Sequence, residues 1–167
     1  MNKSRDIENA LQKWLENAER IVVVGIGNEL RQDDFAGVDL VRSLKGNVSK
    51  HVMLVESETV PENFIEPITK FNPTHILIID AGLLGLKPAS VKFLESSEAL
   101  GPFTGAISTH TLPLRLFCEY LEKTIDAKIA LIIVQPKKTD FGEGLSKEVG
   151  EVSEKLKKML RGILSSP

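Results

Sequence analysis

A single cysteine, Cys118, stands among 167 residues, which excludes an intrachain disulfide and fits a reducing compartment. No apolar run reaches the ~18 residues of a membrane-spanning helix, and the polar N-terminus carries no secretory hydrophobic segment. The expected location is the cytoplasm. Neither sign of charge dominates: 21 Lys and Arg against 23 Asp and Glu give a net charge of −2, with no electrostatic footprint for nucleic acid. There is no Gly-x-Ser-x-Gly nucleophile elbow. Cys118 falls in a helical stretch among Leu116, Phe117 and Tyr120, the setting of an inert buried thiol. Ser108 stands two residues from His110 without other support for a serine dyad. Internal repeats, low-complexity segments and interdomain linkers are also missing. With 42% hydrophobic and 26% charged residues, residues 1–167 are read as one domain that builds a core without disulfide staples.

What is present is a strand, a turn and a helix over residues 21–41. Ile21 to Val24 is β-branched and free of polar residues, as expected of a buried parallel strand. Gly25 and Gly27 permit a sharp turn, and Asn28 tolerates unusual backbone angles. From Phe35 the period becomes helical, with Phe35, Val38, Val41 and Leu44 on one face. Asp33 and Asp34 fall at the predicted start of that helix, where a carboxylate caps free N–H groups and meets the positive end of the dipole. One cap needs one carboxylate, which leaves the second for chemistry. A dinucleotide fingerprint needs a third glycine before the helix. Leu30 stands there instead, and two carboxylates would repel a diphosphate.

The remaining chain alternates strands and helices. Residues 4–18 are an amphipathic helix with Trp14 as a core anchor. Val52 to Val55 reads as a strand ending at Glu56, and residues 59–63 as a helix start with Phe64, Ile65 and Ile68 inward. Pro67 is expected to kink or end that helix. Ile76 to Ile79 is a third strand with Asp80-Ala81-Gly82 at its end, and Ser90 to Leu94 alternates like an edge strand. A Gly/Pro loop leads to residues 107–111, followed by a helix marked by Leu112, Leu116, Tyr120 and Leu121. Ile129 to Val134 is the last strand, residues 135–144 are a loop, and residues 145–164 are a closing helix. The expected fold is α/β: a twisted, mostly parallel five-stranded sheet covered by helices on both faces.

Open α/β sheets build ligand crevices at the C-terminal ends of their strands. Asp34, Asp80 and His110 all follow such ends. Two carboxylates and an imidazole suit a divalent transition ion. The bland alternatives are capping for Asp34, a turn for Asp80 and a surface position for His110. Glu56 and Glu58 line the crevice or sit in a solvated turn; His51 and His75 read as structural. A receiver-type signalling module also has an Asp after its third strand and a Lys near its fifth, here Lys137. It places its acidic pair directly at the first strand's end, whereas Gly25 to Gln32 intervenes here.

The chain resembles the hydrogenase maturation endopeptidases, which trim the large subunit of [NiFe] hydrogenases. The marks are Gly25-x-Gly27-Asn28-x-Leu30-x-x-Asp33-Asp34-x-x-Gly37, then Glu56 with Thr59-Val60-Pro61-Glu62-Asn63, then Ile79-Asp80-Ala81, then Ser108-Thr109-His110. The Thr-Val-Pro-Glu-Asn form resembles the branch serving formate-hydrogenlyase-type and related membrane-bound hydrogenases. The resemblance implies an endopeptidase that removes a C-terminal extension from the large-subunit precursor after nickel insertion. It puts the family's three metal ligands on Asp34, Asp80 and His110, with the first a Glu in some relatives. Nickel then arrives on substrate cysteines rather than as a resident cofactor, and nickel-delivery chaperones are plausible partners. The competing reading is a non-catalytic nickel-site assembly factor using the same crevice. The helix within residues 1–18 extends beyond the shortest relatives.

Overall fold

The computed structural model describes residues 3–58, 60–96 and 111–165. Five strands, β1 (Ile21–Ile26), β2 (Val52–Glu58), β3 (His75–Ala81), β4 (Val91–Glu95) and β5 (Lys128–Val134), form one sheet in the order β2-β1-β3-β5-β4. β1, β2, β3 and β5 run parallel, and β4 closes one edge antiparallel to β5. The composition explains the split: β3 is buried along its whole length, whereas β4 is buried at no position. A strand covered on both faces needs an unbroken apolar run; an edge strand does not. The mostly parallel five-stranded sheet matches the expectation from sequence.

Among the described residues five α-helices cover the sheet: α1 (Lys3–Trp14), α2 (Ala36–Ser43), α3 (Ile65–Phe71), α4 (Thr111–Thr124) and α5 (Lys147–Leu164). Alternation along each strand sorts the core into two halves. Val22, Val24, Ile76, Ile78, Leu131 and Ile133 pack with Ile68 of α3 and with Leu114, Phe117, Cys118 and Leu121 of α4. Val23, Leu77, Ile79, Ala130 and Ile132 pack with Leu11 and Trp14 of α1, Leu40 and Val41 of α2, and Leu156 and Leu160 of α5. Helices therefore lie on both faces. The buried face of α4 runs Leu114, Phe117, Cys118, Leu121, so two residues of its sequence signature, Leu116 and Tyr120, point outward. No helix among the described residues is long and apolar enough to cross a membrane.

Two local expectations are corrected. The helix expected from Phe35 begins one residue later, because Gln32–Phe35 forms a 3-10 turn that feeds α2. Pro67 does not end α3. The helix starts at Ile65 after a 3-10 turn at Pro61–Phe64 and runs to Phe71. Pro67 therefore lies in the first turn, where no intrahelical partner waits for its missing N–H. α3 ends instead at Asn72, which takes a left-handed φ of 51°.

Trp14 anchors α1 as expected, with its ring edge-on to His75 at 4.9 Å and to Phe93 at 6.0 Å. Burial of His75, aided by the nearby positive charge of Lys128, pushes its imidazole below the ordinary histidine range. It is a neutral core residue. Burial beside Glu122 and Glu119 pushes the Cys118 thiol up to about 12, so almost no thiolate forms near neutrality. Native protein at pH 8 is therefore expected to leave a disulfide-exchange reagent such as DTNB unreacted over minutes. One thiol equivalent should appear at once in denaturant; rapid native labelling would contradict the burial of Cys118.

Candidate active site

The strand order places a reversal between β1 and β3: from β1 the chain first adds β2 on one side, then crosses to add β3 on the other. At such a switch point the loops leaving two adjacent strands diverge and leave a crevice. Asp34 follows β1 at this point, and Asp80 is the penultimate residue of β3. Asp80 thus lies within the strand end rather than after it, paired in register with Ile133 of β5, and is fully buried.

Three glycines allow the chain to pack this tightly. A Cβ on Gly25 would stand 2.4 Å from the carbonyl oxygen of Gly37, and one on Gly37 would stand 2.1 Å from that of Ile79. A Cβ on Gly27 would stand 1.9 Å from the carbonyl oxygen of Asp34. Strand β1, the turn carrying Asp34, the start of α2 and the end of β3 therefore touch backbone to backbone. No side chain fits between them.

The adjacent carboxylates divide their roles. Asp33 is fully buried and makes no helix cap, contrary to the local reading of the sequence. Its Oδ2 accepts the N–H groups of Lys137 at 2.9 Å and Lys138 at 3.0 Å and the Ser146 hydroxyl at 2.8 Å. Its Oδ1 accepts the Ser146 N–H at 2.7 Å. One carboxylate thus holds both ends of the loop between β5 and α5. Nothing within ten residues of Asp33 signals this role, because every partner is more than a hundred residues away. Asp34 is partly exposed, and its Oδ2 accepts the N–H of Asn28 at 3.0 Å. Of the pair, Asp34 is the carboxylate that reaches solvent.

Other groups brace the crevice. Ser57 is the extra residue where the β1–β2 register shifts, and its hydroxyl donates to the Gly25 carbonyl at 3.0 Å. The buried side chain of Gln135 accepts the Leu84 N–H at 2.6 Å, tying the segment after β3 to the end of β5. Neither role was visible in the sequence. Glu56 is held by Arg42 Nε at 2.8 Å and Lys45 Nζ at 2.5 Å. Burial alone would raise its carboxyl; the hydrogen bonds from Lys45 and Arg42 outweigh that and hold it below the ordinary range. Glu56 is an ion-pair residue rather than a proton donor. Lys137 pairs with Glu148 at 2.5 Å, which gives it a partner other than Asp80. His51 is exposed in a turn.

His110, with Ser108, lies outside the described residues, as does Thr59 of the Thr-Val-Pro-Glu-Asn segment. Among the described residues no group of three or more His, Cys, Asp or Glu side chains gathers closely enough to hold a metal ion. Asp34 and Asp80 stand at one strand edge, at the ends of the adjacent strands β1 and β3.

Comparison with known proteins follows the same geometry. The profile of the HycI family, described as hydrogenase maturation protease, matches residues 38–163. It spans Asp80 and His110 and begins just after Asp34. The crystal structure of a [NiFe] hydrogenase maturation protease HycI from Thermococcus kodakarensis superposes with a TM-score of 0.84 at 31% identity, covering 93% of this chain and 98% of that one. A Methanocaldococcus jannaschii protein assigned to the hydrogenase maturation proteases is 37% identical over 150 residues, 85% of this chain and 86% of its own. The hydrogenase 3 maturation protease of Escherichia coli K12 is 25% identical over 141 residues, 84% of this chain and 88% of its own. By a profile that matches most of its length and by its likeness to these relatives, the chain belongs to the hydrogenase maturation protease family.

Proposed function

We propose that the protein removes the C-terminal extension of a [NiFe]-hydrogenase large-subunit precursor after nickel insertion, and that Asp34, Asp80 and His110 recognise the nickel the substrate carries. The observation that carries this reading is the division between the adjacent aspartates. Asp33 is consumed by four hydrogen bonds, while Asp34 stands partly exposed at the switch point, on the strand edge that buries Asp80. Carboxylates of that kind favour a cation. Substrate thiolates would hold the metal from one side and the enzyme's oxygen and imidazole donors from the other, consistent with a borderline transition ion.

Selection for loaded precursor follows from electrostatics. A precursor without nickel would leave the carboxylates of Asp34 and Asp80 with no cation to compensate them, which penalises docking. For the chemical step, the substrate's metal would polarise the scissile carbonyl, while a carboxylate of the crevice would take a proton from the attacking water and return it to the amine nitrogen as the peptide C–N bond breaks. This makes the hydrolysis metal-assisted with no covalent intermediate on the protein. The buried, unreactive Cys118 and the missing serine elbow support that assignment. The single reduced cysteine also supports a cytoplasmic setting, where nickel-delivery chaperones would hand over the loaded precursor.

The test is mass spectrometry of a large-subunit precursor incubated with the protein, nickel-loaded beside nickel-free. The expected result is loss of a short C-terminal peptide from the loaded precursor alone. Equal cleavage of nickel-free precursor would remove the nickel-recognition reading. Nickel-dependent binding without any cleavage would make the protein an assembly factor.

A further inference from the structure

Exposed apolar side chains are concentrated at one edge of the sheet. Of seven large hydrophobic residues that are exposed among the described residues, five follow the C-terminal ends of parallel strands. These are Leu30 after β1, Val60 after β2, Leu83 and Leu86 after β3, and Phe141 after β5. Isolated exposed hydrophobics are ordinary, but apolar residues gathered around a polar centre mark a contact surface. The polar group here is the partly exposed Asp34, on the same strand edge that buries Asp80.

Phe141 is the extreme case, at 82% exposed, and Leu30 follows at 47%. Their loops are held rigidly against each other. The Gly142 N–H donates to the Leu30 carbonyl at 2.8 Å, and the Gln32 N–H donates back to the Gly142 carbonyl at 3.1 Å. Arg31 Nε reaches the Thr139 carbonyl at 3.1 Å, and the Asp33 N–H donates to Lys138 at 3.0 Å. β1 and β5 flank β3 on its two sides, so this bridge of loops spans the strand end that carries Asp80. The buried Asp33 carboxylate locks it from beneath. An aromatic ring presented to water on a braced loop has its ordering cost met during folding, which is the condition for a binding hot spot.

We propose that Leu30, Val60, Leu83, Leu86 and Phe141 dock an apolar surface of the folded precursor around its metal, with Phe141 as the anchor. This rests on the processing reading above, and it names a second recognition element: the carboxylates read the cation, and the apolar rim reads the protein that carries it. The occupant is one partner with stated chemistry, an apolar protein surface encircling a bound cation. That arrangement matches exposed apolar side chains on the strand edge that presents the Asp34 carboxylate.

Steady-state cleavage of nickel-loaded precursor by Phe141→Ser and Leu30→Ser, beside the wild type, tests the proposal. Both side chains leave the core intact, and unchanged thermal unfolding verifies that each variant is folded. The expected result is a fall in kcat/KM of roughly 10–30-fold for Phe141→Ser, carried by KM rather than kcat, with a smaller fall for Leu30→Ser. Values within twofold of wild type for both variants would overturn the docking surface, as would a loss confined to kcat. If the wild type cuts no precursor, the processing reading fails on its own. The docking proposal is then judged by the Kd for nickel-loaded precursor: a tenfold rise in Phe141→Ser upholds it, and an unchanged Kd overturns it.

Discussion

Asp34→Asn is expected to fold like the wild type and to leave the nickel-loaded precursor uncut, whereas the same change one residue earlier is expected to weaken the fold itself. The contrast follows from the partners of each carboxylate. Asp34 is partly exposed and accepts the Asn28 N–H, which an amide oxygen also accepts, so the substitution should cost less than about 1 kcal/mol. On the proposed reading it removes the negative charge that would face the substrate's cation and a group that would take a proton from water. A loss of roughly 10²–10⁴-fold in cleavage rate is expected for such a group. Asp33 accepts four hydrogen bonds with both oxygens in a fully buried site. An Asn in its place turns an NH2 toward donors and leaves at least one of them unpaired, at a cost of about 2–4 kcal/mol. For a chain of this length that lowers the midpoint of thermal unfolding by roughly 5–15 °C. Thermal melts and cleavage assays on both variants check the pair together. Equal loss of stability in the two would refute the division of roles.

Gly37→Ala is the second large effect, and here two terms of opposite sign compete. Gly37 lies inside α2, where alanine would normally gain about 1 kcal/mol from helix propensity. The new Cβ, however, would sit 2.1 Å from the Ile79 carbonyl oxygen and 2.5 Å from that of Ile26. Both obstacles are backbone atoms of central strands, which cannot rotate away. The clash is expected to win, for a net loss of about 3 kcal/mol. Because relief requires α2 to move off the ends of β1 and β3, cleavage should fall as well, even at temperatures where the variant stays folded. Gly150→Ala is the control: it stands in α5 with nothing within 4 Å of the added atom, and it should stabilise the protein slightly. Circular dichroism melts of the two variants, moving in opposite directions, are the predicted outcome. A Gly37→Ala protein as stable as wild type would mean that the backbone contact is looser than described.

Local pattern was enough to read the architecture. Apolar runs at Ile21–Val24, Ile76–Ile79 and Ile129–Val134 belong to strands covered on both faces, and such strands need no partner information to be recognised. The alternating Ser90–Leu94 segment declared an edge by the same logic, and β4 is that edge. The Gly-rich turn with its acidic pair marked the strand edge at which Asp34 stands partly exposed. The family also followed from ordered motifs, because spacing along the chain is preserved whatever the packing.

Which aspartate does what was decided only by tertiary structure. Asp33 and Asp34 are neighbours with the same side chain, and no local rule separates them. Asp33 was assigned inward by the backbone N–H groups of Lys137, Lys138 and Ser146, which the fold brings from the far end of the chain. The same holds for Ser57 at the register shift and for Gln135 beneath the segment after β3. Pro67 reads as a helix breaker until the helix start is known, and that start depends on how Pro61–Phe64 turns out of the sheet. The apolar rim is likewise invisible in sequence, since Leu30, Leu83 and Phe141 look like any other hydrophobic residues until packing leaves them outside. Periodicity and motif order are properties of the chain alone; hydrogen-bond partners and exposure are properties of what the chain is folded against.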